Sequence, residues 1–127
     1  MKLYTIDTGH FKLDGGAMFG VVPKSLWQKH NPADSNNMCS WALRCLLVED
    51  GDRLILIDNG MGNKQDEKFF GFYYLHGEGE LHQSLAKHGF NAADITDVVL
   101  THLHFDHCGG SVKWKADRSG FELVFPN

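Results

Sequence analysis

The chain has 127 residues, 43% of them hydrophobic and 22% charged, with a formal net charge of -4. A chain of this size can bury roughly two-thirds of its surface, enough for one hydrophobic core. The acidic balance argues against nucleic acid or an anionic membrane as the main partner, since both call for clustered Lys and Arg, and no apolar run approaches the roughly 18 residues of a membrane span.

The opening Met1-Lys2-Leu3-Tyr4-Thr5-Ile6-Asp7 lacks the long apolar stretch of an export signal, so a cytoplasmic location is the expectation. Leu3 to Ile6 reads as a first strand. Further on, Trp41 to Val48 and Arg53 to Ile57 are apolar runs either side of Glu49-Asp50-Gly51-Asp52. Asp-Gly between two such runs supplies the positive backbone angles of a tight turn, which predicts a β-hairpin. Residues 69 to 74 hold five aromatics, Phe69, Phe70, Phe72, Tyr73 and Tyr74, which either pack in a core or wall an apolar substrate site. Between Glu78 and His88 the period changes. Leu81, Leu85 and His88 recur at helical spacing, and Gly89 is placed to end the helix. Asp94 to Thr101 returns to an extended run, and Phe121 to Phe125 before Pro126 reads as a last strand. The elements together predict an α+β layered sandwich, β-rich, with no repeat or linker.

Cys39, Cys45 and Cys108 fit neither a disulfide framework nor a zinc ribbon, so all three are expected as free thiols in a reducing compartment. Of the remaining histidines, His10, His30, His76, His82 and His88 show no paired ligand spacing.

Residues 101 to 110 read Thr-His-Leu-His-Phe-Asp-His-Cys-Gly-Gly, placing His102, His104, Asp106 and His107 directly after the apolar Val98-Val99-Leu100. Imidazole and carboxylate are the ligands of catalytic zinc and its neighbours, and a strand ending in them delivers them to a sheet edge. In extended chain, His102 and His104 point the same way with Cα atoms roughly 6.6 Å apart, a natural pair for one ion. Asp106 would then lie too far from that ion, so the chain should curl after His104, helped by Gly109 and Gly110. On this geometry Asp106 and His107 face a different point, which suggests a second ion.

The stretch His102-Leu103-His104-Phe105-Asp106-His107 matches the HxHxDH signature of the metallo-β-lactamase superfamily, and the preceding Asp97-Val98-Val99-Leu100-Thr101 looks the same. The resemblance implies His102 and His104 on one metal, and Asp106 and His107 on the other. Asp106 would also hold the hydroxide that bridges the ions. Leu54-Ile55-Leu56-Ile57-Asp58-Asn59-Gly60 resembles the family's strand ending in an Asp-x-Gly turn, whose aspartate supports the metal ligands from behind. Threonine is usual where Asn59 stands. Asp14 to Pro23 and Leu26-Trp27 resemble the flap over the substrate in quorum-quenching lactonases, which nominates Met18 and Phe19 as substrate-binding residues.

The implied fold is the N-terminal half of the family's αββα sandwich, over 1–127, with the C-terminal half and its remaining metal ligands absent. The implied function is a dinuclear hydrolase in which hydroxide attacks an ester or lactone carbonyl of a small molecule. The cofactor would be two zinc ions per complete domain, with iron, manganese or cobalt as substitutes. Two rivals stand beside it. One is a glyoxalase II-like thioesterase. The other is a non-catalytic half-domain, a fragment or split-protein piece that binds metal weakly and seeks a second copy or the missing half.

Overall fold

The computed structural model, which describes residues 1–127, builds a four-stranded sheet in the order β1-β2-β3-β4 from Lys2–Asp14, Met38–Asp50, Arg53–Ile57 and Asp97–Val99. β1, β2 and β3 pair antiparallel, whereas β4 joins β3 in parallel. Parallel neighbours need a long crossover, supplied here by residues 58–96, which carry helices Glu67–Gly71 (α3) and Leu81–Lys87 (α4). Two shorter helices, Gly15–Phe19 (α1) and Lys24–Trp27 (α2), precede β2, and Phe105–Cys108 (α5) follows β4. The expected α+β class and hairpin are both present, with the histidine-rich segment leaving the sheet at its β4 edge.

The first strand runs well past the apolar Leu3–Ile6. A bulge between Asp7 and His10, where Gly9 takes φ 101°, lets pairing with β2 resume as far as Asp14↔Met38. Helix α4 is shorter than the periodicity predicts. Gly79 at φ 128° cannot continue a helix, so the Glu80 carboxylate caps the first turn by accepting from the Gln83 amide, and Gly89 at φ 84° follows the end.

One face of the sheet meets α4. Ile6, Leu47, Leu56, Leu85 and Ile95 are fully buried there, joined by Cys45, Leu54, Leu81 and Phe125. Burial pushes the Cys45 thiol up to about 12, which makes it an inert core group. All three cysteines are free. A second cluster, Phe11, Leu43 and Met61, draws Trp41, Phe69, Phe70, Tyr73 and Phe105 against it. The expected last strand is Phe121–Leu123 (β6), which pairs with Val112–Trp114 (β5) in a separate ribbon rather than with the main sheet. No helix is long and apolar enough to cross a membrane.

Candidate metal centre

Two chain segments are fastened together at the β3 and β4 ends. The Asp58 amide donates to the Val99 carbonyl, the Asn59 amide to the His107 carbonyl, and the Gly110 amide to the Gly60 carbonyl, at 2.9, 2.9 and 3.1 Å. Asn59 Nδ2 adds a bond to Ser111 Oγ at 2.7 Å. This approach is so close that a Cβ on Gly110 would lie 2.2 Å from the Asn59 carbonyl oxygen, and one on Gly109 would lie 2.1 Å from that of Met61. Only glycine fits at either position without the backbone shifting.

Asp58 sits at the junction in the left-handed region, φ 58°, an uncommon state for a residue with a side chain. There its carboxylate is a common acceptor. Thr101 N donates to Oδ1 at 2.8 Å, Thr101 Oγ1 reaches Oδ2 at 2.8 Å, and His107 Nδ1 reaches Oδ2 at 2.8 Å. Burial acts to raise the Asp58 carboxyl, but the bonds from His107 and Thr101 outweigh it and hold the group below its ordinary value. The residue is 8% exposed, so these bonds matter more than those of a surface pair.

In front of Asp58 the three histidines gather. The His102 ring lies 4.7 Å from the His104 ring and 3.9 Å from the His107 ring, centroid to centroid. The four motif residues thus lie close together, compatible with the two neighbouring pairs that spacing suggested. His104 stands at the N-cap position of the short α5 without a side-chain cap bond, and the helical turn that follows brings the His107 ring beside that of His102. Asp106 Oδ2 stands 3.3 Å from His107 Nε2.

The donor set suits a divalent cation, and one contact is compatible with it. His107 Nδ1 gives its proton to Asp58, since a carboxylate can only accept. A neutral ring then turns its Nε2 lone pair toward the Asp106 oxygen, acceptor against acceptor. A cation or a proton between them relieves that contact. Even so, no three His, Cys, Asp or Glu side chains close around a single point. The chemistry of a metal site is present, while the enclosure is not.

An aromatic wall adjoins the histidines. Phe105, next to His104, packs on Phe69 and Tyr73 with centroids 5.3 and 4.6 Å away. Of the five clustered aromatics, Phe69, Phe70 and Tyr73 are packed, while Phe72 and Tyr74 are exposed. The flap nominees part company in the same way. Phe19 stacks on Trp27 at 4.6 Å and lies 5.8 Å from Trp41, which belongs to the same aromatic cluster, whereas Met18 points to solvent at 47% exposure. A cavity of about 340 Å³ lies beside the 59–63 loop, lined by Thr8, His10, Asn59, Leu81 and His82 among others, and includes none of the four motif residues.

Sequence reading missed two features. Thr101 contacts Asp58 and His102 together, and its only signal was its place directly before the motif. His10 and His76 meet with centroids 5.6 Å apart through an isolated bridge that no local spacing announces.

Comparison with known proteins places these features in a family. Residues 44–119 match the model of the metallo-beta-lactamase superfamily. A probable metallo-hydrolase of Mycobacterium tuberculosis is 32% identical over 109 residues, covering 74% of this chain and 35% of the relative. An N-acyl homoserine lactonase of Bacillus thuringiensis is 28% identical over 120 residues, covering 87% and 44%. Among solved structures, a probable metal-dependent hydrolase from Staphylococcus aureus superposes with TM-score 0.83 at 35% identity, covering 89% of this chain and 41% of that one. A dizinc quorum-quenching lactonase superposes with TM-score 0.69 at 33% identity, covering 98% and 39%. The chain thus spans less than half the length of the relatives it matches.

Proposed function

The chain belongs to the metallo-beta-lactamase superfamily, and on that premise we propose that it forms the N-terminal half of a metal-dependent hydrolase of the lactonase-like branch. The observation that carries this reading is that the His102 ring neighbours those of His104 and His107, with Asp58 bonded to His107 Nδ1 and Asp106 Oδ2 3.3 Å from His107 Nε2. His102, His104, Asp106 and His107 would hold divalent metal, zinc first among the candidates, with two ions per complete domain. Bound there, such an ion would supply Lewis acidity, lowering the pKa of a water toward neutrality and polarising a carbonyl.

The residues of the chain do the rest. Asp58 fixes the His107 ring through Nδ1, leaving Nε2 to face the site. Asp106, beside His107, would accept a proton from the attacking water. Phe69, Tyr73 and Phe105 offer an apolar surface beside these groups, suited to the acyl part of an ester or lactone. Being neutral and aromatic, that wall favours an uncharged acyl substrate over a phosphodiester.

The test is metal analysis and lactone hydrolysis by the complete protein. We expect close to two ions per chain. Asp106→Ala should lower turnover by at least a factor of about 100, the scale of a lost acid-base group, with the far-ultraviolet spectrum unchanged. Full turnover in that variant, or a preference for thioesters over lactones, would overturn the assignment.

The absence of any three-donor enclosure supports a second reading for the 127 residues alone. They hold metal weakly and hydrolyse little until further ligands are supplied. A chelator-sensitive lactonase rate from the isolated chain would refute it.

A further inference from the structure

We propose that Thr101 is a positioning residue that fixes the tautomer of His102, so that one hydroxyl and one carboxylate together present both imidazoles to the metal through Nε2. The proposal rests on the metal-site reading above, but its geometric part is independent of any metal.

The argument is one of proton accounting. A threonine hydroxyl has a single proton to give and lone pairs to receive with. Thr101 Oγ1 lies 2.8 Å from Asp58 Oδ2 and 3.1 Å from Oδ1. An ionised carboxylate can only accept, so at these distances the hydroxyl proton goes to Asp58. Toward His102 Nδ1, 3.0 Å away, the same oxygen can then act only as acceptor. His102 must carry its proton on Nδ1, which leaves Nε2 unprotonated. His107 reaches the same state by a shorter route, its Nδ1 donating straight to Asp58 Oδ2 at 2.8 Å. The remaining Thr101 Oγ1 to His107 Nδ1 separation, 3.5 Å, is too long to compete.

The backbone makes the arrangement rigid. Thr101 N is itself bonded to Asp58 Oδ1 at 2.8 Å, so the residue is gripped by the carboxylate at two points and its side chain is not free to rotate away. Serine would keep the hydroxyl. Valine, nearly the same shape, removes the acceptor that His102 Nδ1 needs and returns the ring to its intrinsic mixture of tautomers.

Long-range nitrogen-proton NMR on the metal-free full chain, at mildly alkaline pH where unperturbed imidazoles are neutral, reads each tautomer directly. We expect wild-type His102 to be protonated at Nδ1. Thr101→Ser should preserve that state, and Thr101→Val should lose it at His102 while His107 keeps its Nδ1 proton. Zinc titrated into the same samples should bind about 10-fold or more weakly to T101V than to wild type or T101S, the usual scale for a partner behind a ligand. Wild-type His102 protonated at Nε2 overturns the proposal, and so does a T101V spectrum and zinc affinity identical to wild type. Should T101V fail to fold, the wild-type and T101S spectra still decide it. If no sample binds zinc while His102 shows the expected tautomer, the metal reading fails and the positioning role of Thr101 stands.

Discussion

The two faces of the main sheet are built from the same four strands and from nearly the same residue types, yet only one is finished. On the α4 side, Ile6, Leu47 and Leu56 are fully buried. On the other side, cross-strand register lines up Leu3, Val48 and Ile55 in one row and Thr5, Leu46, Ile57 and Val99 in the next. Leu3, Leu46 and Val99 there remain 59, 36 and 50% exposed. Ion pairs Arg44–Asp7 and Arg53–Asp97 frame this open face at its two ends. A β-strand alternates its side chains by geometry, so apolar residues on both parities signal a sheet meant to be covered on both sides. At the corner beside this face, His102, His104, Asp106 and His107 lie near one another without three of them closing around one point.

The comparison breaks most visibly at Leu56. Replacing it with alanine should destabilise the chain by about 2–5 kcal/mol, the cost of a deletion in a core that cannot collapse around the gap. Urea denaturation measures this through the midpoint at constant slope. A loss below about 1 kcal/mol would mean that the α4 face is no better packed than the open one.

A smaller effect tests the corner. Asp58 has a lowered carboxyl value in the folded chain, so it contributes stability at pH values above its unfolded pKa of about 3.9, and that contribution disappears as pH falls through the lower folded value. Asp58→Asn should therefore be less stable than wild type at neutral pH and approach it in acid. The expected gap is on the order of 1–3 kcal/mol, because Thr101 and His107 lose a charged acceptor. Parallel pH curves for the two proteins would show that the carboxylate carries no such bonds.

How far these features could be read from the sequence follows from how local their causes are. The hairpin around Gly51, the helix of Leu81 and Leu85, and the clustered ligands were legible because turn chemistry, periodicity and motif spacing act within a few residues. The bulge at Gly9 was not. It depends on β2 residues some thirty positions away, which local pattern does not contain. Within the motif, spacing picks out the four candidate donors, while their mutual approach depends on the short helix that starts after His104. Thr101 was overlooked for a related reason. Its role exists only because Asp58, 43 residues earlier, is brought against it. The same distance in sequence hides the glycine contacts, where Gly109 and Gly110 press on the backbone of 59–61.

The open face gives the smallest stability effect and the sharpest contrast. Leu46→Glu places a charge among Thr5 and Ile57, its register partners, at a position 36% exposed, so the folding free energy should fall by about 1 kcal/mol, less than for Leu56→Ala. Its consequence lies instead in association. If the exposed apolar rows drive self-contact, a carboxylate buried there by a second copy would be costly without a partner. Sedimentation of wild type at rising concentration should show self-association that Leu46→Glu weakens, while Leu56→Ala changes stability and leaves the contact surface intact. Should wild type sediment as a monomer throughout, the open face tolerates water by itself, and exposure of Leu3, Leu46 and Val99 carries no driving force for a partner. Should Leu46→Glu unfold the chain, the two faces are coupled through the strands more tightly than their burial indicates.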